Sequence, residues 1–197
     1  MFDEVRNYSI AFSEQFLPFW RKPRIKYTGR FSVAVNFFKN DNQGNECINH
    51  WIEQSNTWLK NNSDSIHKFS DQIFLDDWPK KFNSLKVIEN HGVNVAPWNI
   101  HRYKISLKNN EFYVNKNKLI IYHFSGLYQL SENLWDNNMS ENFIFYKKNI
   151  DKIYNIYIKN IYKFSNNKHV SIFKYPSSFI FPLKKLIKMF SNDLIKV

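Results

Sequence analysis

The run Phe31-Ser32-Val33-Ala34-Val35-Asn36-Phe37-Phe38, followed at once by a helical repeat, constrains the fold of this chain more than any other stretch. The run is short, apolar and rich in β-branched and aromatic residues, and Gly29 sits just before it, so it reads as a buried strand. Asn40-Asp41-Asn42 then offers helix N-caps. Cys47, Trp51, Gln54 or Ser55, and Trp58 follow at three- and four-residue spacing, which predicts an amphipathic helix over 43–60.

The remaining elements are shorter. Residues 1–30 read as irregular, with Pro18, Pro23 and a basic cluster Arg21-Lys22-Pro23-Arg24. Asn61 to Ser70 is a polar loop, and Asp71 to Trp78 a short helix stopped by Pro79. Leu85 to Glu89 is a short strand, and 91–104, with Gly92 and Pro97, a structured loop. Glu111 to Val114 and Lys118 to Phe124 form a hairpin around Asn115-Lys116-Asn117. Ile150, Ile153, Tyr157 and Ile161 recur at helical spacing and predict a second amphipathic helix over 141–164. Strand, helix, short helix, strand, loop, hairpin, helix is a mixed α/β order, with fewer strands than a complete doubly wound sheet needs.

A chain of 197 residues, 43% of them hydrophobic, is long enough for one buried core. Its charge is uneven. Residues 140–197 carry eleven lysines against three acids, whereas 1–139 carry seventeen Lys plus Arg against fourteen acids. The expected organisation is therefore a near-neutral domain over 1–139 and a basic amphipathic helical tail over 140–197. Lys147, Lys148, Lys152, Lys159, Lys163, Lys184, Lys185 and Lys188 lie among apolar residues of that tail. They suit either solvated positions on a docked helix or peripheral contact with an anionic membrane. No nucleic-acid signature is present, and nucleic acid is not an expected partner. A single cysteine, Cys47, rules out an intramolecular disulfide framework and fits a reducing, cytoplasmic setting, with the inner membrane face as the place the tail would reach. Met1-Phe2-Asp3-Glu4 lacks the basic and apolar regions of a signal peptide, and no run approaches the ~20 apolar residues of a membrane span.

Chemistry is concentrated in three polar-aromatic clusters over 71–126. The first, Asp71-Gln72-Ile73-Phe74-Leu75-Asp76-Asp77-Trp78, opens with a carboxylate that can bind sugar hydroxyls, act as a base, or simply complement a helix dipole. Its Asp76-Asp77 pair is poorly placed for one metal ion, because adjacent helical residues diverge by about 100°. It reads instead as a solvated helix end with Trp78 packed inward. The second, His91-Gly92-Val93-Asn94-Val95-Ala96-Pro97-Trp98-Asn99, follows a strand, where loops line ligand crevices. There Asn94 and Asn99 can offer amides to hydroxyls, and Trp98 can stack on a sugar or base or be a core residue. The third, Tyr122-His123-Phe124-Ser125-Gly126, puts a histidine beside a glycine turn, as a metal ligand or a hydrogen-bonded core residue. No Cys-x-x-Cys, phosphate-binding loop, dinucleotide fingerprint or nucleophile elbow occurs.

Taken in order, these stretches resemble the C-terminal half of a family of bacterial glycosyltransferases with the GT-A nucleotide-diphospho-sugar transferase fold, related to the family-8, glycogenin-like enzymes. The matching residues are Gly29-Arg30-Phe31-Ser32-Val33-Ala34, Phe38-Lys39-Asn40-Asp41, Asp71-Gln72 with Leu75-Asp76-Asp77-Trp78-Pro79, His91 to Asn99, and His123-Phe124-Ser125-Gly126. The resemblance covers about residues 1–130. It implies an incomplete GT-A, Rossmann-like mixed sheet with flanking helices that lacks the N-terminal nucleotide-binding strands. It further implies transfer of a sugar from a nucleotide-sugar donor to a glycan acceptor. Asp71 and Gln72 would then lie near the donor sugar, with His91, Asn94, Trp98, Asn99, Ser125 and Gly126 contacting substrate. His123 would bind the Mn2+ or Mg2+ that holds the diphosphate. The sequence contains no Asp-x-Asp, the motif that supplies the family's main metal carboxylates, and Met1-Phe2-Asp3-Glu4 resembles the family just after it. The resemblance therefore implies a truncated or split enzyme whose missing carboxylates come from a separate N-terminal half. The alternative expectation is a non-catalytic remnant that serves as a binding, interaction or peripheral membrane module.

Overall fold

The computed structural model describes residues 1–61, 71–142, 144, 148–164 and 193–196. The polar loop expected over 61–70, but for Asn61, and most of the expected tail, including Lys147, Lys184, Lys185 and Lys188, lie outside the described residues. The protein is mixed α/β, with three small sheets among the described residues. It divides into two compact units, Met1–Val95 and Ala96–Val197, and the boundary expected at 139/140 falls within the second.

In the first unit a short helix α1 (Phe2–Val5) leads into β1 (Ile10–Glu14). A 3-10 stretch (Phe19–Arg24) and α2 (Ile25–Thr28) follow, then β2 (Phe31–Phe38), α3 (Asn42–Asn61), a 3-10 segment (Asp71–Asp77), α4 (Trp78–Lys81) and β3 (Leu85–Val87). β1 is the central strand, antiparallel to β2 and parallel to β3. The strand and helix expected around 31–61 form as predicted. Asp41 caps α3: its carboxylate accepts from Gly44 N at 2.9 Å and from the Ser9 hydroxyl at 2.9 Å, and these bonds hold its pKa below the ordinary carboxylate value. One cluster of Ile10, Phe12, Phe31, Cys47, Leu75, Trp78 and Phe82 fills the core. Phe12 meets Phe31 edge-to-face at 4.5 Å and Trp78 at 5.6 Å, while Trp51 meets Trp78 at 5.5 Å.

Two sequence expectations fail here. Residues 1–30 are not irregular: β1 is the middle strand of the sheet, and its burial on both faces removes the alternation by which a surface strand is read. Pro79 does not stop a helix. It lies in the first turn of α4, where a missing N–H costs nothing.

In the second unit a 3-10 turn (Ile100–Arg102) precedes the antiparallel sheet β4 (Ile105–Lys108), β5 (Glu111–Val114) and β6 (Asn117–Lys118). The expected hairpin around Asn115-Lys116-Asn117 forms as the β5–β6 pair, Tyr113 opposite Lys118 and Val114 opposite Asn117, but its second strand ends at Lys118 rather than Phe124. β5 also pairs with β4, which the sequence did not suggest, across Asn109-Asn110, both at positive φ. β7 (Tyr128–Ser131), β8 (Leu134–Asp136) and β9 (Leu194–Lys196) form the third sheet. α5 (Ile150–Phe164) starts later than expected, because Asn149 has φ 70° and donates its side-chain amide to Ile105 O at 3.2 Å. Glu141 and Asn142, expected to open the helix, belong to a separate 3-10 turn, Met139–Asn142. α5 buries Ile150, Ile153, Tyr154 and Ile158, whereas Tyr157, expected on the apolar stripe, is partly exposed. Among the described residues no helix is long and apolar enough to cross a membrane.

Candidate functional site

Four pieces of the first unit meet at the carboxyl edge of the parallel β1/β3 pair. They are the end of β1, the turn before β2, the 71–77 segment and the loop after β3. The turn before β2 is held from both sides. Gln15, buried just after β1, donates its amide to Gly29 O at 2.7 Å. The Asp76 carboxylate accepts from Arg30 N at 2.8 and 3.0 Å and from Phe31 N at 3.4 Å. Arg30 reaches back to Glu14 at 3.1 Å. Gly29 has φ 77°, and a Cβ there would lie 2.8 Å from Ile73 Cα and 3.0 Å from Gln72 O. Only glycine permits that conformation together with so close an approach. The backbone of the 71–77 segment is thereby pressed onto the sheet edge, leaving the Asp71 and Gln72 side chains half-buried on it.

The loop after β3 arrives at the same edge. Asn90 folds it, accepting from Gly92 N at 2.9 Å through its side chain and from Val93 N at 3.0 Å through its carbonyl. Asn94 is buried at φ 61° and donates its amide to Glu14 O at 3.4 Å. His91 stands exposed beside it. Of the residues singled out from the sequence, Asp71, Gln72 and Asn94 are thus brought to the edge where open α/β sheets bind ligands. The groups left partly open there are the Asp71 carboxylate and the Gln72 amide, which suit hydroxyls as hydrogen-bond partners, while Asn94 is buried and its amide is turned to Glu14 O.

Sequence reasoning missed Glu14, Gln15 and Arg30, and read Asp76 as solvated. Asp76 is instead the clamp that orders Gly29 to Phe31. The signal available was Gly29 itself, one of only four glycines, standing immediately before a strand.

In the second unit the indole of Trp98 meets the imidazole of His123 edge-to-face at 5.0 Å. His123 is exposed at the surface, but desolvation on its packed side holds its pKa below the ordinary value and so favours the neutral ring. Asn99 is fully buried, and its side-chain oxygen accepts from Ala96 N at 2.9 Å, which makes it a turn-former as well as a candidate ligand. Ser125 is exposed. Gly126 has φ 80°, and a Cβ there would lie 3.1 Å from Asn138 Nδ2. Next to His123, Tyr122 and Phe124 pack on α5: Phe124 stacks on Tyr157 at 3.8 Å and meets Tyr154 at 5.1 Å. Tyr122 donates its hydroxyl to that of Tyr154 at 3.4 Å, and burial raises both phenol pKa values. Cys47, in the first unit, is equally inert: burial pushes its thiol up to about 12.

The described residues do not by themselves make a metal centre. Among them no group of three or more His, Cys, Asp or Glu side chains converges. His123 offers one imidazole, with an aromatic ring as its neighbour.

Two curated proteins of Bacillus subtilis (strain 168) are similar to this chain. YfnD is 31% identical over 106 residues, which cover 53% of this chain and 34% of YfnD. YfnF is 31% identical over 115 residues, which cover 56% of this chain and 38% of YfnF. Both are described as uncharacterized proteins. The chain therefore matches little more than a third of the length of either relative. No protein-family profile and no solved structure matches it.

Proposed function

We propose that this chain is part of a GT-A-type glycosyltransferase that moves a sugar from a nucleotide-sugar donor to an acceptor hydroxyl in glycan or cell-surface polysaccharide synthesis. The observation that carries the reading lies in the first unit: the Asp71-Gln72 segment and the Asn94 loop converge on the carboxyl edge of the β1/β3 pair. Asp71 accepts hydrogen bonds from donor-sugar hydroxyls, Gln72 and His91 contribute further polar contacts, and Asn94, buried against Glu14 O, shapes the loop that carries them. In the second unit Trp98 supplies a flat face for a sugar or base, the neutral His123 ring an acceptor nitrogen, and Ser125, Gly126 and Asn99 the turn around them. A divalent cation, Mn2+ or Mg2+, would neutralise the departing diphosphate. Its carboxylates would come from outside the described residues. The expected partners are a nucleotide sugar, a glycan and a separate donor-binding segment, in the cytoplasm or at its membrane face.

Isothermal titration with UDP-sugars, with and without Mn2+, tests this. Heat of binding is expected for the chain alone or mixed with the product of a neighbouring reading frame. Absence of heat in both settings overturns the proposal.

One feature favours a non-catalytic binding module as a second reading. An open cleft of about 480 Å3 is lined by Asn42, Asn45, Asn49, Glu46, Glu53, His50 and Lys81, and Lys81 Nζ lies 3.1 Å from His50 Nδ1. Amides and carboxylates at that density suit a hydroxyl-rich ligand. Saturable binding of a glycan without any nucleotide sugar, lost on Asn45→Leu with Asn49→Leu, would favour this reading.

A further inference from the structure

Between Glu14 and Asp41 the chain has no acidic residue, and it carries Arg21, Lys22, Arg24, Lys26, Arg30 and Lys39. The helical stretch 19–28 gathers four of these cations with three large aromatics on one short, ordered piece of the first unit. Phe19 is 76% exposed, Tyr27 60% and Trp20 38%. Lys22, Arg24 and Lys26 are exposed, and among the described residues they make no ion pair. Lys26 Nζ lies 4.6 Å over the Tyr27 ring.

Single exposed apolar residues are ordinary, but adjacent ones rimmed by a single sign of charge mark a contact surface. Trp and Tyr favour the membrane–water boundary, where an amphipathic ring has both environments. Lys and Arg beside them are drawn to anionic headgroups. Phe has no polar atom and gains only by entering an acyl layer. Phe19 and Trp20 meet edge-to-face at 5.0 Å and 86°, forming a wedge rather than the parallel faces on which successive bases stack. We propose that residues 19–28 seat this protein on an anionic lipid surface, with Phe19, Trp20 and Tyr27 at the acyl boundary and Lys22, Arg24 and Lys26 on the headgroups. The contact is peripheral and short, and it does not depend on the transferase reading.

Co-sedimentation of the full chain tests it, using vesicles of phosphatidylcholine with phosphatidylglycerol against phosphatidylcholine alone. The protein is expected to pellet with the first and not the second, and to be released by salt. Lys22→Gln, Arg24→Gln and Lys26→Gln together are expected to weaken binding on the order of a hundred-fold, at roughly five-fold per cation. Phe19→Ala with Trp20→Ala is expected to weaken it roughly ten-fold or more while leaving salt sensitivity in place. All five positions are on the surface, so circular dichroism of both variants should match the parent. Three results would overturn the proposal: no pelleting with anionic vesicles, pelleting unchanged by both variants but lost on neutralising Lys184, Lys185 and Lys188, or retention of a single-stranded oligonucleotide with no vesicle binding.

Discussion

Gly29 and Asp76 together decide where the first cluster of candidate site residues lies. Gly29 is at positive φ with the 71–77 backbone against it, and Asp76 holds the N–H groups of the next two residues. Gly29→Ala should therefore cost roughly 2–4 kcal/mol, combining backbone strain with a clash against main chain that has no rotamer to give. Urea denaturation measures it; an unchanged midpoint would mean the segment can move off the edge. His123 gives a prediction in pH. Its folded-state pKa is lowered by desolvation on its packed side. The native state thus binds fewer protons than the unfolded chain as the solution is acidified, so stability rises with pH across the window. The contribution is fully present above the unfolded value of about 6.5 and is lost as pH falls through the lowered folded value. His123→Gln should flatten that part of the curve, as read from urea midpoints measured on either side of the window. These roles were only partly legible in sequence. A glycine before a strand is visible, but the carboxylate that fastens it comes from residue 76, and no local pattern links the two.

Among the elements, β2 and α3 were readable because each carries its own period: an apolar run bounded by glycine, and a stripe at three- and four-residue spacing behind an Asp cap. β1 was not, since a central strand of five residues has neither alternation nor length. The 71–81 stretch shows how tertiary packing overrides a local signal. Pro79 would end a helix, yet here it opens α4, and Trp78 is driven inward against Phe12, Phe38 and Trp51. Trp78 is fully buried, so Trp78→Ala should lose roughly 3–5 kcal/mol. Near-ultraviolet circular dichroism with a denaturation curve would check this; a loss below about 1 kcal/mol would show that the cluster repacks. The β5–β6 hairpin was legible from Asn115-Lys116-Asn117, and it forms with a shorter second strand than the apolar run suggested. The β4–β5 hairpin was not: its turn, Asn109-Asn110, takes positive φ at both residues without a glycine to announce it.

For the whole molecule, the transferase reading separates binding from folding. Asp71→Asn should lower nucleotide-sugar affinity about ten-fold, because hydrogen bonds from hydroxyls to a charged acceptor are worth roughly 1.5–3 kcal/mol. It should leave the melting temperature unchanged, whereas Gly29→Ala should depress both. Titration calorimetry beside thermal denaturation distinguishes the two, and equal loss of stability in both variants would reassign Asp71 to the scaffold. The sequence by itself determined a mixed α/β chain with an aromatic-rich core, a strand joined to a capped helix, and an ordered series of polar clusters between apolar runs. Those features are local, written in periods of two and 3.6 and in the conformational habits of glycine, asparagine and aspartate. The tertiary structure decided which cluster residues share an edge and which are consumed within the fold. It brought Glu14, Gly29, Asp76 and Asn94 together from four separate stretches, and turned Asn99 inward to its own turn. The physical reason is that an edge is assembled by strand pairing and by hydrogen bonds between residues tens of positions apart, and such pairings leave no period in the chain.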